Sequence, residues 1–277
     1  MAASRLVEAS GVSVRMPAFT VRSEGMECAM LFERRCYTFK PGEIARFWEY
    51  QNRWNGPRQI PHLLARNVGY FEVVAGPEQI VMLYRYDSFD DWEARLFAGV
   101  DEERTKYLVA GRALMLAQEN MFLKPSPIDI LNPVWGAGRD WLPGTPRFNV
   151  SRSEDLCIVE EITDFRPGEL ASYWDAYRRY LENDGGILPH LIGTFVSLVG
   201  QQHRVVQYCW YDNRAAAVEH REVLRNAPAW KSFTDLYREG VVSNTLRLMR
   251  TARVPWMRNL FEPMAPTAEG GRDAPAR

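Results

Sequence analysis

The stretch Phe39-Lys40-Pro41-Gly42-Glu43-Ile44-Ala45 recurs as Phe165-Arg166-Pro167-Gly168-Glu169-Leu170-Ala171, an offset of 126 residues. Trp48 and Trp174 keep that offset. Pro61-His62-Leu63-Leu64 matches Pro189-His190-Leu191-Ile192 at 128, Gly76 matches Gly200 at 124, and Tyr86-Asp87 matches Tyr211-Asp212 at 125. Glu93 and Arg95 return to 126 with Glu219 and Arg221. Small drifts that fall between elements are what loop insertions leave behind. The chain therefore reads as two diverged copies of one unit.

Each copy has the same local grammar. Residues 28–39 and 156–165 read as strands ending at a Pro-Gly turn. Ile44, Phe47, Trp48 and Gln51 then follow helical spacing, as do Leu170, Tyr173, Trp174, Tyr177 and Leu181 in the second copy. Paired strands come next, at 67–75 with 79–86 and at 193–199 with 204–211, separated by turns at Gly76-Pro77 and Gly200. Asp87-Ser88 and Asp212-Asn213 are helix N-cap signals. The regions 89–117 and 214–241 read as helix in two pieces, broken at Gly99 and Pro228. Last strands are predicted near 119–123 and 244–249. The order βαββαβ is the split unit of ferredoxin-like folds, so the predicted class is α+β. The predicted organisation is an arm at 1–26, a unit at 27–125, a surface-packed linker at 126–152, a unit at 153–252 and a tail at 253–277. The linker holds Trp135 and Trp141, and the tail's Ala, Pro, Gly and charge predict partial disorder.

Bulk properties exclude several functions. The 277 residues are 46% hydrophobic and 25% charged, with 34 basic and 35 acidic side chains and a net charge of −1. Such a balance lacks the basic field of nucleic-acid or membrane-surface binders. No apolar run approaches the roughly 18 residues of a membrane span. Four isolated cysteines, Cys28, Cys36, Cys157 and Cys209, form no CxxC, and a reducing cytoplasm is the expected compartment. No metal-ligand spacing, phosphate loop or nucleophile elbow is present.

Glu33-Arg34-Arg35-Cys36-Tyr37-Thr38-Phe39-Lys40-Pro41-Gly42 resembles the opening strand and turn of NIPSNAP domains. Tyr84-Arg85-Tyr86-Asp87-Ser88 resembles their third strand and helix cap. Gln118-Glu119-Asn120 with Leu123-Lys124-Pro125 resembles their closing strand. The resemblance covers about 28–125 and 154–252. It implies a dimeric α+β barrel, in which two ferredoxin-like sheets face one another and enclose a pocket. Here both halves lie in one chain, so the expected state is a monomeric pseudo-dimer or a homodimer. Related barrels include cofactor-independent monooxygenases, isomerases and cyclases of aromatic or polyketide metabolism, and others that bind haem.

Candidate site residues follow from where the copies differ. Glu33, Arg35 and Tyr37 share one strand face by the two-residue period, whereas their counterparts are Val159, Glu161 and Thr163. Arg35 would hold a carboxylate or enolate oxygen, and Tyr37 would donate to a developing oxyanion. An outward, solvated face, or a plain Glu33–Arg35 ion pair, is the competing reading. Met82, Tyr84 and Tyr86, with Gln207, Cys209 and Tyr211, suit either a pocket wall or ordinary core. His62 and His190 are the matched candidates for a general base, and each equally suits a hydrogen bond to a loop carbonyl. His203 and His220 lack matched partners and are expected at the surface. The predicted catalytic set is His62, His190, Arg35, Tyr37 and Glu33. The predicted substrate-binding set is Met82, Tyr84, Tyr86, Gln207, Tyr211 and Glu161. The expected activity is acid–base chemistry (isomerisation, cyclisation or cofactor-independent oxygenation) on an aromatic or polyketide-like carbonyl compound, without metal or organic cofactor. A haem on one axial histidine, or a non-catalytic ligand-binding scaffold, are the alternatives.

Overall fold

The computed structural model describes residues 30–54, 63, 66–98, 101–132, 148, 150, 152–183, 185–258 and 260–261. The first half runs β1 (Leu31–Phe39), α1 (Ile44–Trp54), β2 (Asn67–Val73), β3 (Gln79–Tyr86), α2 (Phe89–Phe97), α3 (Glu102–Arg112) and β4 (Met115–Pro125). The second repeats it as β5 (Cys157–Phe165), α4 (Leu170–Asn183), β6 (Leu191–Val199), β7 (Arg204–Tyr211), α5 (Arg214–Asn226), α6 (Pro228–Tyr237) and β8 (Val241–Thr251). The fold is α+β, and it contains the predicted βαββαβ order twice.

Local chemistry explains the boundaries. Gly42 and Gly168 take φ of 85° and 93° at the two Pro-Gly turns, a region that side chains disfavour. The start of α1 is met by a carboxylate: Glu78 accepts from the backbone N–H groups of Gly42 (2.9 Å) and Ile44 (3.0 Å). Ser88 and Asn213, the second residue of each predicted cap pair, accept from the backbone N–H groups of Asp91 and Ala216. Pro228 opens α6 rather than kinking a longer helix, since its missing N–H costs nothing in the first turn. The last strands are longer than expected. Residues 115–117 and 241, expected at the ends of helices, belong to β4 and β8, where pairing with β1 and β5 decides their state.

The eight strands close into one barrel in the order β1-β3-β2-β8-β5-β7-β6-β4. Two seams join the halves: Phe71–Val73 of β2 against Met249–Thr251 of β8, and Phe122–Pro125 of β4 against β6. Most strands bury both faces, whereas residues 116–120 of β4 and 242–246 of β8 are exposed. Phe32, Arg34 and Cys36 of β1 point into the barrel, and Leu31, Glu33, Arg35 and Phe39 point to the helices.

This alternation corrects the expected location of the pocket. The barrel interior is filled by Phe32, Phe71, Val81, Leu83, Ile158, Phe195, Val206 and Tyr208 among others, so the facing sheets enclose packed core. Within it, Arg34 Nε and Nη2 donate to Glu160 Oε1 and Oε2 at 2.7 and 2.9 Å. Tyr208 and Arg247 complete the carboxylate's shell, each at 2.7 Å. Burial opposes the Glu160 charge, but Arg34 and Arg247 outweigh it and hold the group down at about 2. A depressed carboxyl contributes stability that is present above its ordinary value and lost as pH falls towards 2. Glu160→Gln should therefore cost about 3 kcal/mol at pH 7 by leaving Arg34 buried and uncompensated. Denaturant unfolding from pH 7 to pH 3 should also show a flatter acid loss in the variant. Equal stability at pH 7, or an unchanged acid slope, would refute the account.

Candidate functional site

The first half's sheet and helices part to leave a cavity of about 400 Å3. Its floor is Arg35 and Tyr37 of β1, Tyr70 of β2, and Met82 and Tyr84 of β3. Phe47 and Gln51 of α1, Trp92 of α2, and Arg104, Tyr107 and Gly111 of α3 form the roof. Gln118 and Asn120 of β4, Phe97 and Arg112 are exposed and mark the mouth. An aromatic and apolar chamber with a few convergent polar groups is the usual form of a small-molecule site.

Its polar centre is built on Glu33, which is wholly buried. The carboxylate accepts from Arg35 Nη2 at 2.7 Å, from Tyr86 Oη and Trp92 Nε1 at 3.2 Å each, and from the Asn120 amide. Arg35 is thereby held beside the Tyr84 ring, its guanidinium carbon 4.9 Å from the ring centroid. Burial works against the Arg35 charge, but the bond to Glu33 more than offsets it, so the group stays protonated. Its Nε has no partner among the described residues. Burial pushes the Tyr84 and Tyr107 hydroxyls up, which keeps them neutral, and Tyr107 donates to Gln51 Oε1 at 2.7 Å.

Predicted site residues thus divide. Arg35, Tyr37, Met82 and Tyr84 line the cavity, and Glu33 and Tyr86 stand behind Arg35. His62 lies outside the described residues, as does most of the Trp-bearing linker. Gln207, Tyr211, Glu161 and His190 belong to the second half and do not reach this cavity. His190 Nδ1 lies 3.1 Å from the Trp210 carbonyl, and its ring stacks on Tyr211. His220, expected at the surface, is instead half-buried between the Tyr211 hydroxyl (3.1 Å) and the Gly186 carbonyl (3.0 Å).

The equivalent chamber of the second half holds only about 20 Å3. Carrying the 126-residue offset through the helices shows why. Gln51, Arg104, Tyr107 and Gly111 become Tyr177, Trp230, Phe233 and Tyr237. These rings pack on one another, with Phe233 4.7 Å from both Tyr177 and Tyr237 and 5.4 Å from Trp230. Glu161, which takes the place of Arg35, is tied to Arg221 (3.0 Å) and Asn244 (2.9 Å), and Gln207 donates to Tyr177 and Thr194. Arg104, Tyr107 and Gly111 carry no signal of their own in the sequence, since each looks ordinary on a helix until the two copies are aligned there. The same offset applied to 102–112 would have found them.

The NIPSNAP family model matches residues 32–128 and again 162–254. The chain belongs to the NIPSNAP family. A NIPSNAP family protein of Agrobacterium tumefaciens is 31% identical to it, covering 36% of this chain and 93% of that one with a TM-score of 0.33. A Fusobacterium nucleatum protein provisionally described as a monooxygenase is similar over 86% of this chain and 97% of its own, at 6% identity and a TM-score of 0.57. An anthrone oxidase-like protein covers 80% and 91%, at 15% identity and a TM-score of 0.53. At these identities the last two likenesses are of fold. None of the curated proteins matches the chain. Among the described residues, no helix is long and apolar enough to cross a membrane.

In this NIPSNAP chain the second-half rings act as core. Phe233→Ala should cost about 3–5 kcal/mol in denaturant unfolding, and a loss below about 1 kcal/mol would show that they are not tightly packed.

Proposed function

We propose that the first-half cavity is the active site of an enzyme that ionises an aromatic or polyketide-like carbonyl compound. The single observation behind this reading is Arg35: a buried, protonated guanidinium, anchored on one side by Glu33, bordering an aromatic chamber of about 400 Å3. When a base breaks the C–H bond next to a carbonyl, the electron pair moves onto oxygen. A fixed cation at that oxygen stabilises the enolate more than the ketone, and a low-dielectric site strengthens the effect. Tyr37 supplies a second donor from the same strand. Glu33 positions Arg35, since four donors already occupy its oxygens.

Among the described residues, no Asp, Glu or His lines the cavity. His62 is the candidate base, and Leu63, the next residue in the chain, lines the chamber. The enolate is then reprotonated at another carbon, attacks a second carbonyl of the same molecule, or gives an electron to dioxygen, which correspond to isomerisation, cyclisation and oxygenation. No organic cofactor enters this proposal. The fold shared with a provisional monooxygenase and an anthrone oxidase-like protein supports an enzyme-like role.

Exchange of the C1 hydrogens of 2-tetralone in deuterium oxide, followed by proton NMR, tests the reading without knowledge of the natural substrate. The wild-type chain should accelerate exchange over buffer, and Arg35→Met should remove about 100-fold of that acceleration while the protein stays folded. Exchange no faster than buffer, or an Arg35→Met variant as fast as wild type, would refute it.

A further inference from the structure

The α3 wall carries charge that Arg35 and Glu33 do not account for. Arg104 is only 5% exposed. It donates to the backbone carbonyls of Leu96 (2.7 Å) and Ala98, while its Nε has no partner among the described residues. Among the described residues no carboxylate stands within ion-pair distance of it. Burial pushes its pKa down, only partly countered by Asp101 at the cap of the same helix. Arg112, two turns further along the same helix, sits exposed at the mouth, also without an ion pair among the described residues. A buried cation without a counter-charge is costly, and a site lined by one sign of charge concentrates the opposite sign.

The second half provides an internal control. At the same 126-residue offset, Arg104 is replaced by Trp230, and Arg112 by Arg238, which pairs with Asp235 at 2.9 Å. Val109 occupies the position of Asp235 in the first half. Where the chamber is filled, the uncompensated charge is gone; where the chamber is open, it is kept. Gly111 lies on the same face, between these arginines. A Cβ built there meets nothing within 4 Å among the described residues, so the position leaves room for a ligand beside both guanidinium groups.

We infer that the substrate carries a carboxylate in addition to its ionisable carbonyl, and that Arg104 and Arg112 receive it on the α3 side of the cavity. This rests on the reading of Arg35 as the group that holds the enolate oxygen. The floor and the roof then bind different oxygens: Arg35 takes the one that gains charge during reaction, and the α3 pair takes one already charged. The α3 contacts fix orientation and select acids, whereas Arg35 promotes ionisation. A planar guanidinium fork fits a carboxylate with two parallel hydrogen bonds.

The test compares 3-hydroxy-2-naphthoate with 2-naphthol, two probes that differ by the carboxylate, in calorimetric titrations of the full chain. Wild type should bind the acid about tenfold more tightly, the ratio that one charge-assisted hydrogen bond supplies. Arg112→Gln and Arg104→Met should each shrink that ratio. Arg112→Gln lies at an exposed position and keeps the test valid if Arg104→Met does not fold. Gly111→Leu fills the chamber and should abolish binding of both probes. Equal affinities in wild type, or a ratio unchanged in Arg112→Gln and in whichever Arg104 variant folds, would overturn the inference and leave the Arg35 reading standing. Binding of both probes that survives Gly111→Leu would remove the cavity as the site and overturn both readings.

Discussion

The bidentate pair between Arg34 and Glu160 sits where the two halves of the chain meet themselves. The two residues are 126 apart, so they occupy equivalent positions on equivalent strands. In a barrel made from two identical subunits, such a position near the symmetry axis faces its own copy, arginine against arginine or glutamate against glutamate. Fusion into one chain lets the two copies become complementary. The carboxylate then gathers Arg247 and Tyr208 as well, so four side chains from four strands are fixed at the middle of the barrel. The apolar residues around them close the interior, and closure is what turns the outer face of each sheet towards its helices.

The same freedom acts on those outer faces. Both halves carry a tryptophan on the first helix, a Pro-Gly turn before it and a paired hairpin after it. What differs is what lies under the helices. Gly111, Arg104 and Gln51 leave space and polarity in one half; Tyr237, Trp230 and Tyr177 fill the other with stacked rings. The filled half contributes its strands and its core to hold the barrel, and this releases the open half from sole responsibility for stability. An open chamber with buried guanidinium groups is costly to keep in a small domain. A large packed neighbour provides the margin.

Much of this was legible in the sequence, for reasons that can be located. The Phe39–Ala45 repeat identified the unit, and the period of two put Glu33, Arg35 and Tyr37 together on one face. Alternation says which side chains share a face, but not what covers it. The pocket was therefore expected between the sheets, whereas Arg35 faces α1 and α3 from the outer side. Met115-Leu116-Ala117 reads as helix because each residue is a good helix former, yet pairing with β1 decides its state. Arg104 and Gly111 look ordinary on a helix. Their meaning depends on Trp230 and Tyr237, which occupy the same places in the half whose chamber is filled. His220 reads as a surface residue because its partners, Tyr211 and the Gly186 carbonyl, are brought together only by the tertiary fold.

The central claim is that one of two equivalent chambers has been kept for a ligand, with Arg35 at its floor. A crystal structure of the full chain with 2-naphthol bound tests it most directly. The account predicts one ligand per chain, beneath α1 and α3 of the first half, with its oxygen within hydrogen-bonding distance of Arg35. A ligand among the second-half rings or inside the barrel, or one whose oxygen turns away from Arg35, would contradict it.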